Sequence, residues 1–257
     1  MSFEVCTVQH DHVGEIRFTA PPHNFASSAM MMAIADAVAA MDADRQVRCI
    51  LLTAEGKTFC GGANLAGDDA VQGAEGMSEI ALFYENAARI MSRTKPMIAS
   101  VQGAAIGAGL GLALAADFRI ASPAARFAAN FVKLGFHPGF AISCTLPRVI
   151  GAQRAAWMML SGNRVNAEQA LDWGLADRVV PAGDLEREAL AMANEIACNA
   201  PLAVVAVRAT LVGELAREVV ETMRHEHAQQ AMLKNTADYA EGVAAVFERR
   251  AANFTGS

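Results

Sequence analysis

Two glycine-rich segments have the residue types and spacing best suited to chemistry in this chain. The first, GKTFCGGANL at residues 56–65, follows the apolar run CILLT, and the second, QGAAIGAG at residues 102–109, follows the apolar run MIASV. Glycine lets a backbone approach a ligand closely, and the first amides of a helix have no partner within it. Side by side, the segments would offer two backbone N–H groups to one oxygen that gains negative charge, as in an oxyanion hole. Turns and close packing are the alternative reason for these glycines.

The elements that must position these segments alternate between strand and helix. An N-terminal hairpin over residues 3–19 precedes a helix that starts at Ser27 or Ser28. The runs CILLT and MIASV are continuous enough to be strands covered on both faces, and from about residue 140 onward the pattern is mostly helical. This order predicts an α/β fold. Because no Pro/Ser-rich linker occurs, we expect one continuous unit with a core over residues 1–195 and a C-terminal helical region over residues 196–257.

Composition excludes several classes of protein. The 257 residues are 53% hydrophobic and 19% charged, which indicates a packed core and not a disordered chain. A net charge of −6 without a basic run argues against a nucleic-acid partner. No apolar run reaches the roughly 18 residues of a membrane span, so no membrane partner is expected. Five scattered cysteines without a C-x-x-C pair are typical of thiols in the cytoplasm or another reducing compartment.

Several motifs, in register along almost the whole chain, resemble the enoyl-CoA hydratase/isomerase (crotonase) superfamily. They are NFASSAM near the start, GKTFCGGANL, VQGAAIGAGLGLALAADFRIAS, SGNRVNAEQALDWGLADRVV in the middle, and the closing EGVAAVFERRAANF. The resemblance implies an α/β, crotonase-like spiral of ββα units with a C-terminal helical trimerisation region. It also implies an acyl-CoA thioester substrate, a role in fatty acid metabolism, and a homotrimer or a hexamer built as a dimer of trimers. No metal and no cofactor beyond the coenzyme A of the substrate are implied.

By position, the resemblance assigns the two oxyanion-hole amides to Ala63 and Ala108. Alanine replaces the more usual glycine at 108 but keeps the N–H group. The departures from the family pattern are as specific as the matches, because the two glutamates used by its hydratases fall on Gly111 and Phe131. Neither residue can transfer a proton, a step that contributes about 10²–10⁴-fold to rate. The usual hydratase mechanism therefore lacks its two acid/base groups here.

Three side chains are candidates to move protons in place of those glutamates. His137, in LGFHPGF, is the first, because the resemblance places this loop beside the acyl pocket and histidine titrates near neutral pH. A loop histidine bonded to backbone is the alternative. Glu85 and Tyr84, on the helix over the acyl site, are further candidates, although such a helix usually shows its carboxylates to solvent.

The resemblance also implies contacts with coenzyme A and the acyl group. The residues assigned to them are His23, Phe25, Gly62, Leu65, Asn130, Phe131, Phe247 and Arg250. Arg250, or its neighbour Arg249, would meet a CoA phosphate through charge-assisted hydrogen bonds. A solvated helix face is the alternative for both arginines.

Three interpretations follow from these residues. The favoured one is an enzyme that uses a backbone oxyanion hole on acyl-CoA for hydration, double-bond isomerisation, or hydrolysis of a CoA thioester or a β-diketone. The second is an acyl-CoA-binding protein without catalysis, which Gly111 and Phe131 motivate. The third, a dinucleotide-binding oxidoreductase, fails because Leu112 occupies the third glycine position and no acidic residue follows at the required spacing.

Overall fold

The computed structural model describes residues 2–64 and 76–257 of the chain; the side chains of residues 76–79 are not described. Within the described residues, nine strands form two sheets. The strands are β1 (Glu4–His10), β2 (Val13–Thr19), β3 (Cys49–Ala54), β4 (Met97–Val101), β5 (Ala104–Ile106), β6 (Phe118–Ala121), β7 (Arg126–Ala128), β8 (Val165–Asn166) and β9 (Arg178–Val179). One sheet has the order β1-β2-β3-β4-β6-β9, and the smaller sheet has the order β5-β7-β8.

Helices pack around these sheets and make up most of the second half of the chain. The described α-helices are α1 (Ser28–Ala43), α2 (Gly76–Met91), α3 (Ala108–Ala115), α4 (Ile142–Ile150), α5 (Ala152–Ser161), α6 (Ala167–Trp173), α7 (Leu185–Ala197), α8 (Pro201–Val212), α9 (Leu215–Leu233) and α10 (Ala237–Glu248). Two short 3₁₀ helices lie at Asn130–Leu134 and Ala182–Asp184.

The structure confirms the predicted hairpin and the two covered strands. β1 and β2 pair antiparallel from Glu4↔Thr19 to His10↔Val13, whereas β2, β3, β4, β6 and β9 follow one another in parallel. All of β4, and all but the last residue of β3, is buried, as expected for parallel strands with helices on both faces. α1 begins directly after Ser27, whose hydroxyl accepts the N–H of Met30 at 3.2 Å.

A buried ionic cluster attaches α8 to the sheet. The Asp117 carboxylate accepts hydrogen bonds from Arg93 at 2.7 Å, from Arg208 at 3.1 Å and from the N–H of Met97 at 2.8 Å. Burial alone would raise the pKa of Asp117, but the two guanidinium groups outweigh it and hold that pKa below its usual value. The carboxylate is therefore charged and serves to join helix and strand.

Of the last three helices, α9 and α10 pack on the rest of the chain, whereas α8 leaves one face uncovered. α9 packs on α2 and α4, and α10 packs on the 3₁₀ helix Asn130–Leu134. α8, in contrast, leaves apolar side chains in solvent: Leu202 is 85% exposed and Leu211 is 76% exposed. No single described helix has the length and apolar composition of a membrane span, while the bent pair Ala182–Ala197 and Pro201–Val212 meets both criteria together.

Candidate active site

A cavity of about 200 Å³ lies where the two glycine-rich segments meet the C-terminal helices. Its lining comes from both segments, from α2, from the chain after β7, and from α9 and α10. The lining residues are Phe25, Gly61, Gly62, Ala63, Asn64, Ile80, Phe83, Tyr84, Ile106, Gly107, Ala108, Asn130, Phe131, Leu134, Phe136, Gly139, Phe140, Gln230, Tyr239, Val243, Val246 and Phe247.

The two glycine-rich segments are in direct backbone contact, as the sequence predicts. The N–H of Cys60 donates to the carbonyl of Ala104 at 2.9 Å, and the N–H of Ile106 donates to the carbonyl of Cys60 at 3.0 Å. This approach requires glycine at 109, because a Cβ atom there would lie 2.1 Å from the Cys60 oxygen. The parallel contact carries the residues that follow Cys60 and Ile106 to the same side of the cavity.

Ala63 and Ala108 are brought to the lining of one cavity by this contact, each with a backbone N–H group. Gly62 and Asn64 both bond to Ala26, through the Gly62 carbonyl and the Asn64 N–H at 2.8 Å each, so the Ala63 N–H points the opposite way. Ala108 is the first residue of α3, where helical amides lack an internal partner and the helix dipole favours negative charge. Among the described residues, neither N–H donates to another group of the chain. We call residues 61–64 and 107–109 the main-chain wall.

Gly111, where the resemblance places the first glutamate, is closed by an aromatic ring. A Cβ atom placed on Gly111 would lie 2.5 Å from Cβ and Cγ of Phe140, so no larger side chain fits at 111 in this arrangement. Phe140 is fully buried and lines the cavity. At the second glutamate position, Phe131 also lines the cavity, beside Asn130. Gly111 is thus packed against an aromatic ring, and position 131 is itself an aromatic residue of the lining.

Phe140 is held in a backbone conformation that is costly for a bulky residue. Phe140 and Ala141 have φ values of 63° and 55°, in the left-handed region. Buried Glu226, on α9, stabilises this turn: its carboxylate accepts the N–H of Ala141 at 2.8 Å, the N–H of Ser143 at 3.0 Å and the Ser143 hydroxyl at 2.6 Å. Burial raises the pKa of Glu226 to about 7, although these hydrogen bonds act to lower it.

A second residue of α9 fixes the polar edge of the cavity. The Tyr84 hydroxyl donates to Oε1 of Gln230 at 2.6 Å, and Nε2 of Gln230 donates to the His137 carbonyl at 2.9 Å. Burial raises the pKa of Tyr84, and nearby Glu226 raises it further, so the phenol stays protonated. Gly139 is required beside it, because a Cβ there would lie 1.9 Å from the Tyr84 oxygen.

Of the three candidate acid/base residues, the structure places only one in the cavity lining. Tyr84 lines the cavity, whereas Glu85 is exposed and does not. The His137 ring is also outside the lining: its Nδ1 lies 2.8 Å from the Pro138 carbonyl and its ring centroid 6.0 Å from that of His225. His137 therefore meets the site through its carbonyl, and an acid/base role for its ring stays a prediction without geometric support.

The residues assigned to coenzyme A are only partly gathered at the cavity. Phe25, Gly62, Asn130, Phe131 and Phe247 line it, and Leu65 lies outside the described residues.

The two remaining assignments lie at the surface. His23 is exposed and packs its ring on Phe25 with centroids 5.6 Å apart. Arg250 is also exposed, and its guanidinium is paired with Glu241 at 2.5 Å and 2.8 Å. A phosphate at this position would compete with an existing ion pair.

Glu226 and Gln230 are the side chains around the site that sequence reasoning missed. The signal was present in α9, where the residues buried in the described structure are Val219, Met223, Glu226 and Gln230, at spacings of four, three and four. Polar residues that replace apolar ones on the buried stripe of a helix must have hydrogen-bond partners. Such a break in the pattern would have marked both residues as parts of an internal network.

Comparison with known proteins gives the family. The family described as "Enoyl-CoA hydratase/isomerase" matches residues 9–257. A putative enoyl-CoA hydratase of Thermus thermophilus is 33% identical over 255 residues, which is 96% of this chain and 99% of that protein. The 1,2-epoxyphenylacetyl-CoA isomerase of Escherichia coli is 33% identical over 227 residues, 87% of each chain. An enoyl-CoA hydratase/isomerase structure from Pseudoalteromonas atlantica has a TM-score of 0.86 at 31% identity, covering 98% of this chain and 99% of that one. The chain belongs to the enoyl-CoA hydratase/isomerase family and has its crotonase fold.

Proposed function

We propose that this chain is an enzyme that activates an acyl-CoA thioester in a backbone oxyanion hole. The observation that carries this proposal is the pair of amides at Ala63 and Ala108, which line one cavity and have no partner among the described residues. Two N–H groups on a thioester oxygen stabilise the negative charge of an enolate or a tetrahedral intermediate. Each such donor is worth about 10²–10³ in rate.

The reaction proposed is of the isomerase or lyase kind, without the usual pair of glutamates. Gly111 and Phe131 cannot exchange protons, and Phe140 fills the space beside Gly111. Of the cavity-lining candidates, Tyr84 keeps its proton because its pKa is raised. Because that proton is already donated to Gln230, and because a raised pKa makes the phenol a weak acid, Tyr84 is proposed to orient the loop and not to transfer protons. Hydrolysis of a CoA thioester or β-diketone and binding without turnover are the alternatives.

Coenzyme A is proposed to enter between Phe25 and Phe247, along the main-chain wall. Phe247 is 60% exposed although it lines the cavity, which suits a residue at an entrance that a ligand later covers. Arg250 would exchange Glu241 for a CoA phosphate, and His23 would support the Phe25 ring. No further cofactor and no metal are proposed.

Assembly into a homotrimer, or a hexamer of two trimers, is proposed from the uncovered face of α8. Leu202, Val207 and Leu211 recur along this helix and are 59–85% exposed, a pattern that favours burial against another copy of the chain. The five cysteines are free thiols, which supports a cytoplasmic or other reducing location. A role in fatty acid metabolism follows only from the proposed substrate class.

The proposal is tested by incubating the protein with enoyl-, β-keto- and saturated acyl-CoA thioesters and following their mass and double-bond position. Conversion of a thioester, lost in Ala108→Pro and kept in Ala108→Gly, supports the enzyme. Calorimetric binding without conversion of any thioester supports the non-catalytic alternative. Failure of the folded protein to bind any acyl-CoA overturns both.

A further inference from the structure

Aromatic side chains are concentrated around the cavity well beyond their share of the chain. They make up 6% of the sequence, yet six of the twelve phenylalanines and both tyrosines line this cavity. Two of these eight, Phe25 and Phe247, belong to the proposed coenzyme A entrance. The other six form what we call the aromatic wall: Phe83, Tyr84, Phe131, Phe136, Phe140 and Tyr239. Such a wall is more than an apolar lining requires, because aliphatic residues would supply the same apolar area.

The rings of the aromatic wall are ordered by one another. Phe83 contacts Phe140 and Tyr84 edge to face, with centroids 6.0 Å apart in both pairs and interplanar angles of 78° and 81°. Phe136 and Tyr239 form a tilted pair at 5.0 Å. Rings in such pairs present fixed faces, with negative charge density, and fixed edges, with positive charge density.

Two rings are also fixed by groups outside the wall. Phe140 has a left-handed backbone conformation in a turn that Glu226 stabilises. Its ring packs against Gly111, where the missing side chain leaves room for it. Tyr84 is tethered through its hydroxyl to Gln230. A cavity whose walls are already ordered loses little conformational entropy when a ligand binds, provided that the ligand matches the existing surfaces.

We infer that the acyl group of the substrate is aromatic, that is, that the thioester is an arylacyl-CoA. This inference rests on the proposed function. A flat ring can meet the fixed faces and edges of the wall in the stacked and edge-to-face contacts that aromatic pairs prefer. It also has few rotors to immobilise, whereas a straight chain of equal carbon number loses several. Apolar area by itself would favour the straight chain, so the two explanations predict opposite orders of affinity.

Three thioesters with eight-carbon acyl groups separate these explanations: phenylacetyl-CoA, cyclohexylacetyl-CoA and octanoyl-CoA. We expect calorimetry to give phenylacetyl-CoA a dissociation constant about tenfold below that of octanoyl-CoA and about fivefold below that of cyclohexylacetyl-CoA. Mass spectra taken after each titration check that the ligands are intact.

Phe140→Leu tests whether the wall causes the preference. We expect it to reduce the tenfold preference for phenylacetyl-CoA over octanoyl-CoA to about twofold. Phe18→Leu is the matched control: Phe18 is equally buried but does not line the cavity, so its variant keeps the preference. Tyr84→Phe keeps the aromatic ring, so this variant is also expected to keep the preference for phenylacetyl-CoA.

Each outcome decides one claim. Octanoyl-CoA binding as tightly as phenylacetyl-CoA, or more tightly, overturns the inference and leaves the thioester function standing. Equal affinity for the phenyl and cyclohexyl compounds also overturns it, since ring shape would then suffice. An undiminished preference in Phe140→Leu removes the wall as its cause. If none of the three binds to the folded protein, the inference fails, and binding of the enoyl- and β-keto-CoA thioesters then decides whether the proposed function stands.

Discussion

The two walls of the cavity are built from different parts of the chain, one from backbone groups and the other from side chains. The main-chain wall offers N–H groups, and its geometry depends on glycines at positions such as 62 and 109 and on pairing between neighbouring strands. The aromatic wall consists of side chains from α2, the region after β7, and α10, held in place by α9. In our proposals, the first wall acts on the thioester carbonyl and the second selects the group attached to it. On these proposals, the chemistry depends on the backbone, and the selectivity depends on side chains that can vary without disturbing it.

Deleting one amide of the main-chain wall should have the largest effect on rate. Ala108→Pro removes the N–H at the first position of α3, where proline is otherwise well tolerated. Turnover is expected to fall by about 10²–10³ while acyl-CoA affinity changes little, because the lost donor acts most strongly on the developing charge. Steady-state kinetics and calorimetry measure the two quantities. Ala108→Gly keeps the N–H and should keep most of the rate; equal losses in the two variants would contradict the role of the amide.

Titration of Glu226, which supports Phe140 of the aromatic wall, should make the free energy of unfolding of the chain depend on pH. Its pKa is about 7 in the folded protein because of burial, against 4.5 when it is exposed. Between these values the folded chain binds more protons than the unfolded chain, so this group's contribution to the free energy of unfolding falls as pH rises from about 4.5 to 7 and is level above that. The contribution is on the order of 3 kcal/mol.

Glu226→Gln isolates this contribution because it removes the titrating group but keeps an acceptor for Ala141. Urea denaturation at several pH values should show that the stability of wild type, relative to that of the variant, falls between about pH 4.5 and pH 7. The exposed Glu85→Gln variant serves as the control and should follow wild type. Parallel profiles for wild type and Glu226→Gln would show that burial does not raise this pKa.

The contact between Gly111, on α3 directly after the main-chain wall, and Phe140 of the aromatic wall can be tested by stability alone. Gly111→Ala is expected to lower the free energy of unfolding by about 1–3 kcal/mol, because the new Cβ meets the Phe140 ring. In a Phe140→Gly background the same change should be neutral, or stabilising by up to about 1 kcal/mol, since alanine is the better helix former. Gly183→Ala, where the added Cβ meets nothing within 4 Å, is the control. Additive effects of the two changes would mean that the ring does not exclude a side chain at 111.

More of the main-chain wall than of the aromatic wall could be predicted from the sequence, for a physical reason. The two glycine-rich segments could be recognised because glycine patterns and covered strands are local features of the sequence, and the resemblance then assigned the donors to Ala63 and Ala108 by position. Of the aromatic wall, the resemblance pointed only to Tyr84 and Phe131. Phe83, Phe140 and Tyr239 were not predicted, because they are far apart in the chain and meet only after α9 and α10 have packed. Strands of two or three residues, such as β5 and β8, are equally hard to recognise, so the smaller sheet was not predicted.

His137 is the residue for which sequence and structure give different expectations, and its substitution should have the smallest effect. Its ring bonds to the Pro138 carbonyl and faces His225, while its carbonyl holds Gln230 in place. His137→Ala keeps that carbonyl, so turnover is expected to fall by less than about threefold, below the range of a positioned acid/base. Gln230→Ala is the matched variant: it removes the link between Tyr84 and the loop and should lower turnover more. A tenfold or larger loss in His137→Ala, with unchanged acyl-CoA affinity, would instead assign the proton transfer to the imidazole and require the 136–141 loop to turn its ring toward the cavity when substrate binds.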